Sequence, residues 1–252
     1  SLGGFQSLLI HEMDEKNGGR IGIEKSLLLN SPISILTATQ NSDNFLVKNG
    51  IYDARSLEKY MDTIFSRLMY DDSIKMKDFE FPNLNSSLGK LGLGEKDFEV
   101  LTGLLFRFYS ANMTFAGEVF SGNNATGRLS NKKSYKRFDS VSKEFREGLS
   151  VSFDEYAKEI LYPYLKKFKY PDLDFNKFID DFDLRSSQDF INRNNKNIVF
   201  ITSTDDILLE DEDLDYIKKT FSNRVLIPFG GHTGVLWHKD VSKLMVDKLE
   251  EE

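Results

Sequence analysis

Two short apolar runs near the C-terminus constrain this chain most. Asn197-Ile198-Val199-Phe200-Ile201-Thr202 and Arg224-Val225-Leu226-Ile227-Pro228 carry β-branched residues without polar alternation. The first reads as a buried strand, the habit of parallel sheets, and the second as another strand. Between them, Asp211 to Thr220 reads as a helix whose acidic first turn suits the positive end of the helix dipole. Strand, helix, strand is the crossover that parallel pairing requires. A third run, Lys25-Ser26-Leu27-Leu28-Leu29-Asn30, has strand length and is closed by Ser31-Pro32. Ahead of it, Gln6 to Met13 reads as a helix with one apolar face. Asn17-Gly18-Gly19 ends it, since glycine accepts the left-handed turn at a helix terminus. Val241 to Leu249 reads as a closing helix. The expected fold class is α/β with a parallel sheet.

The middle of the chain has a different rhythm. Phe98, Leu101, Leu104, Leu105 and Phe108 fall at helical spacing. Leu57 to Met69 and Tyr156 to Phe168 read the same way, with turn-rich breaks at Phe81 to Asn85 and Ser121 to Asn124. The expected division is one unit from residues 1–32 and 191–252 around the sheet, and a mostly helical insertion at 33–190.

Composition narrows the function. The chain carries 33 Lys and Arg against 40 Asp and Glu, a net charge of −7. That sign is opposite to what a nucleic-acid backbone attracts, so no nucleic-acid partner is expected. No run of about 18 apolar residues is present, so no membrane span is expected. Cysteine is absent, which removes disulfides, thiolate metal sites and cysteine nucleophiles. Imidazole chemistry has three candidates, His11, His232 and His238. No ligand set at metal spacing is evident, so neither a metal nor a cofactor is expected.

Three pieces line up along the chain. Ser1-Leu2-Gly3-Gly4 opens a helix, Asp205-Asp206 follows the strand at 197–202, and Gly230-Gly231-His232 follows the strand at 224–228. The C-terminal ends of strands are where ligand sites lie in parallel α/β sheets. Serine, acid, histidine is the chain order of the α/β-hydrolases. The sequence resembles that superfamily through the second half of its nucleophile elbow (normally Gly-x-Ser-x-Gly), its acid loop and its histidine loop. The resemblance covers both ends of the chain. The middle corresponds to the helical cap that such enzymes insert between the strand at 25–30 and the strand at 197–202.

The resemblance implies a serine hydrolase that cleaves a carboxylic ester or related acyl bond through an acyl-enzyme. Ser1 is then the nucleophile and His232 the base. Asp206 orients the imidazole, with Asp205 as the fallback acid, and the Leu2 backbone N–H donates to the oxyanion. Asp206 is preferred because Ser203 to Leu209 matches the family pattern Gly-x-x-Asp-x-x-apolar, with Ser203 in place of glycine. The implied partner is a small acyl or ester substrate. Of the middle section's phenylalanines, among them Phe98, Phe106, Phe108, Phe115 and Phe120, most read as core and some as lining an apolar acyl pocket over Ser1. The elbow's leading Gly-x, the strand before it and the loop carrying the second oxyanion donor are not in these 252 residues. The expectation is therefore the C-terminal half of a longer enzyme, with its N-terminal half as partner in the same or a separate chain. The strand at 25–30 is expected to show an apolar edge, and the 252 residues alone are expected to be inactive.

Two other readings compete. One is a non-catalytic member whose helical section binds a ligand or partner. The other is an N-terminal-serine hydrolase in which the Ser1 amine is the base; its stacked antiparallel sheets fit the helical middle and the alternating tail poorly. Elsewhere, His11 reads as a surface residue, His238 as a surface or cap residue at the last helix, and Glu210 to Asp215 as a solvated face. Lys132 to Arg137 is a basic run with one aromatic, read as a loop of the insertion. Asn112 and Asn124 begin short glycosylation sequons.

Overall fold

The computed structural model describes residues 2–70, 94–120, 136, 139–232, 234 and 238–250. Ser1, the segments 81–85 and 121–124, the basic run apart from Lys136, and the sequon at Asn124 lie outside them. The chain divides into two compact units, Ser1–Ala38 with Ile179–Glu252, and Thr39–Phe178.

The first unit is α/β. Helix α1 (Leu2–Lys16) is followed by β1 (Ser26–Leu29). The chain returns with a 3-10 turn (Leu184–Ser187), a short helix (Gln188–Arg193), β2 (Ile198–Ser203), a helix (Asp211–Thr220), β3 (Asn223–Ile227) and a last helix (Lys239–Glu250). The three strands form one parallel sheet in the order β1-β2-β3. Register sets Leu28 beside Phe200 and Thr202 beside Leu226, so one face gathers Leu28, Ile198 and Phe200. Phe5 and Leu8 of α1, Leu184, Phe190, Ile191, Ile217 and Phe221 pack into the same core. Each such side chain, fully buried, contributes about 1.5–3 kcal/mol.

One glycine sets how α1 meets the sheet. A Cβ on Gly4 would lie 3.0 Å from the Ser31 Cβ and 3.2 Å from the Leu28 Cα. Only a bare Cα lets the helix come this close to β1. The other end of α1 closes on Asn17-Gly18-Gly19 as expected, with the Asp14 carboxylate accepting the backbone N–H groups of Ile21, Gly22 and Ile23.

The second unit is helical. α2 (Ile35–Lys48) and α3 (Ala54–Tyr70) are joined by α4 (Glu95–Phe120) and α5 (Ser142–Gly148). Leu46, Ile51, Leu57, Val100, Leu104, Ala111 and Leu149 make its core. Gly103 sits against Leu46, whose Cγ would be 2.7 Å from an added Cβ. Arg107 pairs with Asp43 and also donates to the Leu149 carbonyl, both side chains mostly buried. Beyond α5, the helix expected at Tyr156 to Phe168 has two parts. Tyr156–Leu161 is π-helical and continues into α6 (Tyr162–Phe168).

Three expectations need correction. The units divide inside the expected 33–190 insertion, because Ile33, Leu184 and Phe190 belong to the sheet unit's core. His11 is not a surface residue. It lies one turn after Leu8 on the sheet side of α1, buried, with Nδ1 2.9 Å from the Ser26 hydroxyl and its ring edge-on to Phe190. Burial pushes its pKa down against the pull of Glu15 and Asp14. Asp213 departs from the solvated acidic face, because its buried carboxylate pairs with Arg185 at 2.6 Å.

Candidate functional site

The C-terminal ends of β2 and β3 bring two chemically useful side chains together. β2 ends at Ser203, and the backbone N–H of Thr204 donates to the Ile227 carbonyl at 2.8 Å while its hydroxyl donates to the Pro228 carbonyl at 3.0 Å. These bonds lock the loop after β2 to the loop after β3. Two adjacent aspartates then take separate tasks. Asp205 turns outward and accepts the backbone N–H groups of Gly230 and Gly231, at 3.1 and 2.8 Å. Gly231 has φ +55°, a left-handed conformation that glycine holds without strain. Asp206 turns inward, its side chain only 1% exposed.

His232 Nδ1 lies 2.9 Å from Asp206 Oδ2 and 3.1 Å from Oδ1. The carboxylate also accepts the Leu208 backbone N–H at 3.0 Å and the Asn30 carboxamide N–H at 3.0 Å. Burial alone pushes the Asp206 carboxyl up. The His232 hydrogen bond and charge, with the Asn30 and Leu208 donors, outweigh it and hold the pKa below the ordinary aspartate value. An ionised carboxylate only accepts hydrogen bonds, so Nδ1 carries the proton. In a neutral imidazole that leaves Nε2 as the basic atom, on a side chain that is 27% exposed. An imidazole so held can take a proton from a neighbouring hydroxyl and return it.

Asn30 is the residue that sequence reasoning missed. It follows β1, is buried, and adopts φ +42°, the left-handed region that asparagine enters more readily than most residues. Its carboxamide nitrogen also lies 3.3 Å from the Gly231 carbonyl and 3.4 Å from the Thr202 hydroxyl. The three strand ends therefore meet at one carboxylate. An asparagine closing an apolar strand just before Ser-Pro was the available signal.

The other expected site residues stand as follows. Ser1 lies outside the described residues. Leu2 is the first residue of α1, with an exposed side chain. His238 is exposed next to the last helix. Phe106, Phe108 and Phe115 are half-buried on α4 in the helical unit, where Phe108 packs with the core and stacks on Phe145 at 6.0 Å. The side chains of Phe98 and Phe120 lie outside the described set. A cavity of about 600 Å³ sits at the opposite ends of β1 and β2, lined by His11, Asp14, Lys25 and Asn197 among others, and includes neither Asp206 nor His232. Among the described residues no group of three His, Asp or Glu side chains gathers as metal ligands.

The class defined here is an α/β protein with a small three-stranded parallel sheet and an aspartate–histidine pair at the strand ends. Comparison with protein-family models, curated proteins and solved structures finds no match for the chain.

Proposed function

We propose that the protein is a serine hydrolase of the α/β-hydrolase type that cleaves a carboxylic ester or related acyl bond. The observation that carries this reading is the buried Asp206 carboxylate bonded to His232 Nδ1, on loops that follow neighbouring parallel strands. A buried carboxylate with three donors is costly unless it holds something in place, and here it fixes the tautomer that makes Nε2 a base. In this reading Ser1 attacks the acyl carbon. His232 takes the hydroxyl proton and gives it to the leaving group, Asp206 stabilises the imidazolium, and the Leu2 N–H at the start of α1 donates to the oxyanion. Water then releases the acyl group by the same proton route. The exposed side chains of Phe229 and Ile207, on the two loops that hold the pair, favour an apolar acyl portion.

The test is labelling with a fluorophosphonate probe of the protein in its natural form. Expected are labelling of the unsubstituted protein, none of Ser1→Ala, and a labelling rate lowered roughly 10³–10⁴-fold in Asp206→Asn. Asp205→Asn should lose far less. A folded protein that stays unlabelled, or labelling indifferent to His232→Ala, refutes the reading and leaves a binding role for the fold.

A further inference from the structure

The acyl-transfer reading leaves one surface of the helical unit unused. Tyr162-Pro163-Tyr164-Leu165-Lys166-Lys167-Phe168-Lys169-Tyr170 spans α6 and the residues after it. It holds three lysines and no carboxylate, in a chain whose net charge is −7. Its aromatic rings form a graded cluster. Phe178 is buried, and Tyr162 packs on it at 5.2 Å between centroids. Tyr164 and Phe168 are in mutual contact at 5.1 Å. Tyr164, Phe168 and Tyr170 are 40%, 54% and 49% exposed. Three neighbouring aromatics left in water mark a surface meant for something else.

The lysines are arranged on these rings. Lys167 Nζ stands 4.8 Å over Phe168, Lys169 Nζ 5.2 Å over Tyr170, and Lys166 Nζ 5.6 Å over Tyr162. Among the described residues none of the three joins an ion pair. A row of ammonium groups above half-exposed tyrosine and phenylalanine is the chemistry of a membrane interface. Aromatic rings settle at the headgroup level, and lysines reach anionic phosphates while their stems stay against apolar surface.

We propose that this face binds the anionic headgroups of a membrane surface, with Phe168 and Tyr170 entering the interface and Lys166, Lys167 and Lys169 on the phosphates. The occupant is lipid rather than nucleic acid for two reasons. Base stacking needs open ring faces, whereas a lysine already stands over a face of Phe168 and of Tyr170, and Lys166 donates to the Tyr162 hydroxyl at 3.3 Å. The cations are all lysine, point charges without the planar fork that reads phosphate and base edges together. The proposal is independent of the hydrolase reading.

Vesicle flotation of the full chain tests it, with phosphatidylcholine alone and with phosphatidylcholine mixed with phosphatidylglycerol. Expected is binding to the mixed vesicles only, weakened by salt. Lys166→Gln/Lys167→Gln/Lys169→Gln should lower the partition constant by roughly two orders of magnitude. Phe168→Ser/Tyr170→Ser should also reduce it while both variants keep the parent circular dichroism and Tm. Absence of binding to the mixed vesicles overturns the proposal. So does binding indifferent to the lysine substitutions, or preferential capture of an oligothymidine by this face.

Discussion

Replacing Asn30 probes the point where the three strand ends meet. Its carboxamide donates to a buried, ionised carboxylate at 3.0 Å, and a hydrogen bond to a charged group contributes about 1.5–3 kcal/mol. The contacts at 3.3 and 3.4 Å are long and add less. Alanine at φ +42° also loses the local tolerance of asparagine for the left-handed region, about 1 kcal/mol. Asn30→Ala should therefore cost about 3 kcal/mol, a fall in Tm of roughly 6–12 °C for a chain of this size. Asn30→Gly keeps the backbone at ease and should cost less than alanine, so their difference isolates the strain. Asn30→Asp keeps the shape but sets a second carboxylate beside Asp206. In the parent protein the depressed Asp206 pKa adds stability at neutral pH, lost as pH falls below the ordinary aspartate value and through the folded one. In Asn30→Asp the two carboxylates repel, and the pair's upper apparent pKa is raised. A raised acid pKa means that the folded state holds the proton more tightly, so the deficit of Asn30→Asp should shrink between pH 7 and pH 5. Urea unfolding across that range measures it. A cost of Asn30→Ala below about 0.5 kcal/mol, within the range of an ordinary surface change, refutes the reasoning. An Asn30→Asp profile parallel to the parent's does the same.

Two further substitutions test the frame around the site. Gly4→Ala forces a Cβ to 3.0 Å from Ser31 and 3.2 Å from the β1 backbone. It should cost about 1–3 kcal/mol in urea unfolding and slow fluorophosphonate labelling by shifting the start of α1; labelling and stability both unchanged would show that the close approach is not needed. In the helical unit, burial already pushes the Asp43 carboxyl up against the pull of Arg107. Arg107→Met should therefore cost about 3 kcal/mol at pH 7, and part of the loss should return as pH falls, because an acid whose folded pKa is raised gains stability on protonation. A pH-independent loss would point to lost packing rather than lost charge.

The central strand β2 was the most legible part of the sheet, whereas the leucine run of β1 is decided by its length and bounds, and β3 is an edge strand with Arg224 exposed. Val199 and Ile201 sit beside Phe200 with no polar alternation, and such a run has nowhere to go but between two covered faces. The helix at Asp211–Thr220 kept its expected bounds, since a glutamate before it and an acidic first turn fix its start. The pairing of Asp206 with His232 was legible only through the family pattern, since spacing alone does not choose between adjacent aspartates. His11 and Asp213 were misjudged for one reason. Charge and polarity suggest solvent, but a residue one turn from Leu8, or one that meets Arg185 from another segment, is buried by contacts that no local window contains. The π-helical turn at Tyr156–Leu161 was invisible because its residues are ordinary helix formers. Ile160 of that turn packs against Gly117, 3.2 Å from where a Cβ would stand.

Asp205 and Asp206 show how far a single residue step carries at a strand end. Both lie in the turn that follows β2, where the Asp206 N–H donates back to the Ser203 carbonyl at 3.3 Å, and the two carboxylates take different partners. The outward one holds the backbone of the histidine loop through two amides, and the inward one holds the histidine itself. Either alone leaves the imidazole underdetermined. Without the outward latch the loop at Gly230 and Gly231 is free to swing, and without the inward carboxylate the ring lacks a fixed tautomer. Asn30 completes the logic, because its amide touches both Asp206 and the Gly231 carbonyl. The histidine loop and its imidazole are thus held by three side chains from two loops.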